Sequence, residues 1–129
     1  PFVHEPLPLD TPSIRLLRIV PFDEEEIIRC ELRHVRMDQA PQYTCLSYVW
    51  GAGDATARLL INGQPHNVQK NLFDFLYAAS YPIKFLDPKF AQAIWVDALC
   101  IDQENPEEKN HQVQQMGNIY SRASKVVAW

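Results

Sequence analysis

The chain changes rhythm twice along its length. Residues 1–12, at the start of PFVHEPLPLDTPS, contain four prolines, which predicts an extended lead-in short of the N–H donors that regular pairing needs. IRLLRIV and IIRCELRHV then alternate apolar and charged positions around the acidic PFDEEE. A period of two predicts two half-exposed strands of a hairpin, with Asp23 to Glu26 as a solvated turn. YTCLSYVWG, rich in aromatic and β-branched residues, predicts a third strand, halted by the loop GAGDATA. RLLING turns through Asn62-Gly63 into QPHNV, a strong hairpin signal. In NLFDFLYAAS the period becomes helical: Asn71 can cap, Asp74 sits at the third helical position, and Leu72, Phe75, Leu76 and Ala79 share a face.

The second half has a different texture. AIWVDALC is a short, nearly continuous apolar run, as expected of a strand buried on both faces of a parallel sheet. Asn105 is placed to cap a helix with Pro106 at its first position and Glu108 at its third, and Val113, Met116, Ile119, Tyr120 and Ala123 form the stripe expected to face inward. KVVAW returns as a further buried strand. The predicted fold is α/β, with N-terminal antiparallel hairpin material joined to a parallel sheet with flanking helices; its second half is a βαβ unit that should cross over right-handed. The lead-in covers 1–12 and a single domain 13–129, and a chain that stops inside an apolar strand reads as a piece of a longer protein.

Composition narrows the classes. At 129 residues, 47% hydrophobic and 22% charged, the chain can form one core without metals or disulfides. A net charge of −4 with scattered basic residues argues against nucleic acid as a partner. The apolar runs fall well short of the roughly 20 residues of a membrane span, and the first residues do not resemble a signal peptide. Cys30, Cys45 and Cys100 are odd in number and lie in strand-like segments, which favours buried thiols and a reducing, cytoplasmic setting. His4, His34, His66 and His111 are dispersed and no paired-cysteine spacing occurs, so no metal site is expected. Gly51 and Gly53 make a lone G-x-G, better read as a turn than as a dinucleotide fingerprint.

In open α/β sheets ligands bind beyond the carboxyl ends of the strands. Parallel packing of YTCLSYVW and AIWVDALC would bring Tyr48, Trp50, Gly51 and Asp54 toward Cys100, Asp102, Gln103 and Glu104, beside a helix N-terminus suited to a phosphate or carboxylate. Asp97 stands out as a carboxylate in a buried run, which must be hydrogen-bonded or go neutral. A structural hub is the favoured role, ahead of direct chemistry. Trp50 and Trp95 are candidates to stack a ring, although strand tryptophans usually belong to a core. Cys100 with His111 as nucleophile and base is the weakest arrangement, because a buried inert thiol explains Cys100 better.

Taken together, YTCLSYVWG and IWVDALCIDQENPEEKNHQVQQMGNIYSRASKVVAW resemble the HET (heterokaryon incompatibility) domain of filamentous fungi. The resemblance rests on a block from Cys45 to Gly51, a block from Trp95 to Gln103, and the helix from Glu108 to Ala123, and it extends over residues 13–129. Cys45 stands where the family usually has alanine, and Val96 where isoleucine is common. The resemblance implies a module of larger fungal proteins that triggers programmed cell death on detecting non-self, a remote kinship with TIR domains, and action by self-association with other copies and other domains. Some TIR domains hydrolyse NAD through a catalytic glutamate, which makes NAD a candidate substrate. A carboxylate would then stabilise an oxocarbenium-like centre. The candidates for it are Glu104, Glu107 and Glu108, then Asp97 and Asp102, with Tyr48, Trp50, Gly51 and Gln103 as the ligand pocket. Helix capping and dipole stabilisation are a strong alternative role for the first-turn glutamates, and Glu108 in particular fits a capping box.

Overall fold

A computed structural model describes residues 1–20, 27–49, 53–80 and 93–129. The predicted turn at Asp23 to Glu26 lies outside the described residues, as do Trp50 and Gly51. Among these residues seven strands form one mixed sheet: β1 (Ser13–Val20), β2 (Arg29–Arg36), β3 (Tyr43–Ser47), β4 (Ala57–Ile61), β5 (Gln64–Val68), β6 (Ala93–Trp95) and β7 (Lys125–Ala128). The spatial order is β5-β4-β2-β1-β6-β3-β7. The helices among the described residues are α1 (Lys70–Ala79), the single turn α2 (Asp97–Cys100) and α3 (Pro106–Arg122).

Both predicted hairpin pairings form. β1 and β2 run antiparallel from Ser13↔Arg36 to Val20↔Arg29, and β4 pairs with β5 through a turn in which Asn62 (φ 51°) and Gly63 (φ 79°) are both left-handed. Two successive positive φ values belong to the type I′ turn that matches strand twist. The Asn62 side chain also ties this hairpin to the first one. Its Oδ1 accepts from the Leu32 amide at 2.9 Å and its Nδ2 donates to the Leu32 carbonyl at 3.1 Å, replacing a missing rung between β4 and β2.

The parallel half forms as well: β3 lies between β6 and β7 and is parallel to both. The halves join where β1 meets β6 at Leu17↔Ile94. That junction makes β1 a central strand with Ser13 to Leu17 all buried, in place of the half-exposed strand expected from its charges. β7 departs in the other direction. It ends the strand order, and Lys125, Val126 and Ala128 are exposed, so it is an edge rather than a buried strand.

The run AIWVDALC is not one strand. Strand pairing stops at Trp95, Val96 caps α2, and the Val96 carbonyl accepts from the amides of Leu99 and Cys100. Continuous hydrophobicity signals burial without distinguishing strand from turn. Asp97 therefore begins a helical turn, where a carboxylate is half-buried and meets the amide-rich end. α1 starts at Lys70 and is not capped by Asn71: Asn71 Nδ2 donates to the Val49 carbonyl at 2.7 Å and Gln69 Nε2 to the Gly53 carbonyl at 2.9 Å. Both amides hold the loop after β3, and Asp74 pairs with Lys70 one turn back.

Candidate functional site

β5 and β3 lie five places apart in the strand order, about 24 Å in a flat sheet at the usual strand spacing. Yet Tyr48 just after β3 and His66 on β5 line one cleft of about 590 Å³. The N-terminal end of α1, the C-terminal end of β3 and the segment after α2 all contribute to its lining. The cleft is lined by the segment after α2, with Asp102, Gln103 and Glu104, by β5, and by the lead-in residues Phe2 and His4. Phe2 packs edge-on against His66 with ring centroids 5.7 Å apart. Four of the residues singled out in the sequence, Tyr48, Asp102, Gln103 and Glu104, thus meet on one surface.

Local hydrogen bonding fixes the segment after α2. Gln103 Nε2 donates to the Asp97 carbonyl at 2.9 Å, folding the segment back on α2. Asp102 Oδ1 accepts from the Glu104 amide at 3.2 Å and lies 3.8 Å from His4 Nδ1. Glu104 is exposed at the mouth. Burial first, and then the charge of Asp97, push the Tyr48 phenol well above its usual range. Tyr48 is therefore a neutral hydroxyl in the cleft lining, a donor or acceptor rather than a base. The Tyr120 phenol is likewise raised by burial first, with Cys45 and Asp97 adding to it. Asp97 thus acts electrostatically on both tyrosines.

Glu108 sits elsewhere, at the core. It is 1% exposed and pairs with Arg15, itself 3% exposed, through two bonds of 2.5 and 2.9 Å. Burial alone would raise the Glu108 carboxyl; bonds from Arg15 and from the Asp102 amide at 2.6 Å outweigh it and hold the group below its ordinary range. Arg15 also donates to the carbonyls of Cys100, at 3.1 Å, and Glu5, at 2.6 Å. One ion pair so connects β1, the lead-in, the end of α2, the cleft wall and α3. The expected capping box is half present: Asn105 Oδ1 accepts from the Glu108 amide at 3.2 Å, but the Glu108 carboxylate reaches past Asn105 to Asp102 and Arg15. Glu107 is exposed on the first turn of α3 and does not line the cleft.

The inner face of α3 is more polar than its sequence pattern. Glu108, Gln112 and Ile119 are buried, Met116, Tyr120 and Ala123 are partly buried, and Val113 is 52% exposed. Gln112 Nε2 donates to the Ser13 carbonyl at 2.8 Å, so the stripe turns toward β1 to satisfy a central strand. Trp95 is fully buried and packs edge-to-face on Tyr120 at 5.7 Å, a core tryptophan not placed to stack a ligand. The Cys100 thiol is pushed up to about 12 by burial and contacts the Ile94 carbonyl, while His111 is paired with Gln115. That leaves no thiolate–imidazole couple. Among the described residues no group of three or more His, Cys, Asp or Glu side chains could hold a metal ion. No helix among them is long and apolar enough to cross a membrane.

Sequence reasoning missed Arg15, Phe2, His4 and His66. Arg15 carried a signal, since it shares a strand face with Leu17. The others depend on where the lead-in lies, which has no period to reveal it. The family described as Heterokaryon incompatibility protein (HET) matches residues 43–129. The chain belongs to that family. Heterokaryon incompatibility protein 6, OR allele, of Neurospora crassa is 29% identical over 138 residues, covering 99% of this chain. The chain spans 20% of the length of that relative. No solved structure matches it. The matched region contains β3, the loop after α2 and all of α3, and so all four cleft residues named from the sequence, Tyr48, Asp102, Gln103 and Glu104, fall within it.

Proposed function

We propose that this chain is the signalling domain of a fungal incompatibility protein, acting on non-self recognition to trigger programmed cell death through self-association with further copies. The single observation that carries this reading is the HET match over residues 43–129, supported by the likeness of nearly the whole chain to one segment of a heterokaryon incompatibility protein. Expression of the full-length protein in a compatible fungal strain, scored for viability beside the domain's mass in solution, tests it. Death that follows expression, together with a mass that rises with concentration, is expected. Survival at full expression would refute the death-signalling role, and a strictly monomeric chain would refute self-association.

A second reading, cleavage of the nicotinamide glycosidic bond of NAD in the manner of TIR domains, is favoured by one feature of the cleft. Asp102 and Glu104 line the same cleft as the neutral Tyr48 hydroxyl, and glycoside-cleaving sites use a carboxylate facing a developing oxocarbenium centre. In this reading Glu104 is the leading candidate, with Asp102 next. Glu108 serves as an internal ion-pair partner, Asp97 acts electrostatically on Tyr48, and Glu107 lies outside the site. Nicotinamide release by concentrated or artificially clustered domain, lost in Glu104→Gln while the fold persists, is the expected result. Equal release by the wild type and by both Glu104→Gln and Asp102→Asn would refute it.

A further inference from the structure

The sheet is finished differently at its two ends. At the β5 end the lead-in takes up part of the edge, the Phe2 amide donating to the Pro65 carbonyl at 2.8 Å. At the other end β7 has β3 as its only strand neighbour among the described residues. One bond sets the direction of its backbone groups: the Ser124 amide donates to the Tyr43 carbonyl at 2.8 Å. Alternate residues of a parallel strand turn their amide and carbonyl toward the partner. Val126 therefore points its backbone groups inward like Ser124, and Lys125 and Val127 turn theirs outward. Outward groups of this kind are a template for another strand. Lys125 is the one charge on the edge, and no proline interrupts it. Val126 pairs with Cys45, whose thiol contacts the Ile119 carbonyl at 3.8 Å, so its side chain stands on the α3 face of the sheet, 54% exposed.

Backbone direction and charge together select one pairing of this edge with itself. A two-fold axis presents the same patch of each copy to the other, and like strands then meet antiparallel. Hydrogen bonding requires outward residues to face outward residues. Within β7 that leaves registers centred on Lys125, Val126 or Val127. Centring on Lys125 sets two like charges directly opposite, which destabilises a strand pair. Centring on Val127 places Lys125 opposite Trp129, whose amide already donates to the Ser47 carbonyl at 2.8 Å. Centring on Val126 sets Lys125 opposite Val127 of the second copy and Val127 opposite its Lys125. Both outward residues then exchange both of their bonds, and no like charges face each other. The two Val126 side chains meet on the α3 face as a close, non-hydrogen-bonded pair, with Cα atoms about 4.5 Å apart.

We propose that β7 is the surface through which this chain associates with a second copy, the two β7 strands pairing antiparallel about a two-fold axis at Val126 and continuing the sheet from one molecule into the next. The inference rests on the self-association proposed above and names its surface. Val126→Cys in the full-length protein tests it, and the burial of Cys30, Cys45 and Cys100 keeps those thiols out of the reaction. Under mild oxidation this variant should form a disulfide-linked dimer, because the paired positions lie within disulfide reach. Ala128→Cys should not, since its two copies lie about 13 Å apart at the usual strand rise. Val126→Lys sets two lysines face to face at an already exposed position. It should weaken the dimer at least about tenfold and leave the thermal melt native. Val127→Pro deletes the outward amide alone, a change that an edge strand tolerates, and should weaken the dimer while β3 stays paired. Association unchanged in Val126→Lys, or a Val126→Cys dimer that does not cross-link, would overturn the β7 pairing and leave self-association standing. A wild-type protein that is monomeric at every concentration would overturn both. In the dilute monomer the Val126→Cys thiol should label freely; a thiol protected there would mean that another segment of the same chain covers β7, and would overturn the pairing.

Discussion

At the scale of single residues, the buried Arg15–Glu108 pair carries a large energetic stake. Both side chains are nearly inaccessible to water, and removal of one partner strands the other charge without solvation. Glu108→Gln should therefore cost about 3–5 kcal/mol, measured by denaturant unfolding. Replacing both partners with apolar side chains of similar volume should recover part of that loss, because no charge is then left buried, while the Asp102 amide and the Cys100 and Glu5 carbonyls lose their partners. The sign of the pH dependence follows from the depressed Glu108 carboxyl. Its stabilisation is fully present above the unfolded carboxylate value near about 4.3 and is lost as pH falls through the lower folded value. Wild-type stability should fall across that acid window, and Glu108→Gln should flatten the fall. Equal slopes in both proteins would place the acid sensitivity elsewhere.

At the scale of elements, the β4–β5 turn does more than reverse the chain. Asn62 adopts a left-handed φ and supplies two hydrogen bonds to Leu32. Each bond contributes about 1 kcal/mol, and the conformation adds its own cost for most residues. Asn62→Gly keeps the conformation and loses the bonds, so about 2 kcal/mol of destabilisation is expected; Asn62→Ala loses both and should be worse. If the two variants melt together, backbone strain plays no part. The same turn shows what a sequence discloses. Asn62-Gly63 announced the hairpin because its chemistry is local, as did Asn105-Pro106 at the start of α3. Arg15 in β1 and the run ending in Cys100 were misread because their settings depend on remote partners: Glu108 lies 93 positions from Arg15, and burial makes strand and helical turn look alike. The cleft was legible on its HET side, where Tyr48, Asp102, Gln103 and Glu104 converge. It was invisible on the other side, since Phe2 and His4 have no pattern to mark them.

At the scale of the whole molecule, the question is whether two differently built halves behave as one. The antiparallel hairpins and the parallel strands share a sheet only through β1 and β6, a narrow seam along which two units could separate. Across it, however, Arg15 of β1 holds Glu108 of α3 and the Cys100 carbonyl, and Gln112 of α3 holds the Ser13 carbonyl. Breaking the seam would expose a buried ion pair along with apolar surface, which favours a single cooperative transition. The cysteines sample both sides of it: Cys30 in β2, Cys45 in β3 and Cys100 in α2, all buried and each pushed up to about 12 by burial. Because a thiol reagent attacks the exposed thiolate, labelling at mildly alkaline pH should proceed only through opening, and the three sites should react at one shared rate. A Cys30 rate distinct from that of Cys45 and Cys100 would mean that the hairpin half opens independently of the HET-side strands, and Arg15→Ala should produce that split if the ion pair is what closes the seam.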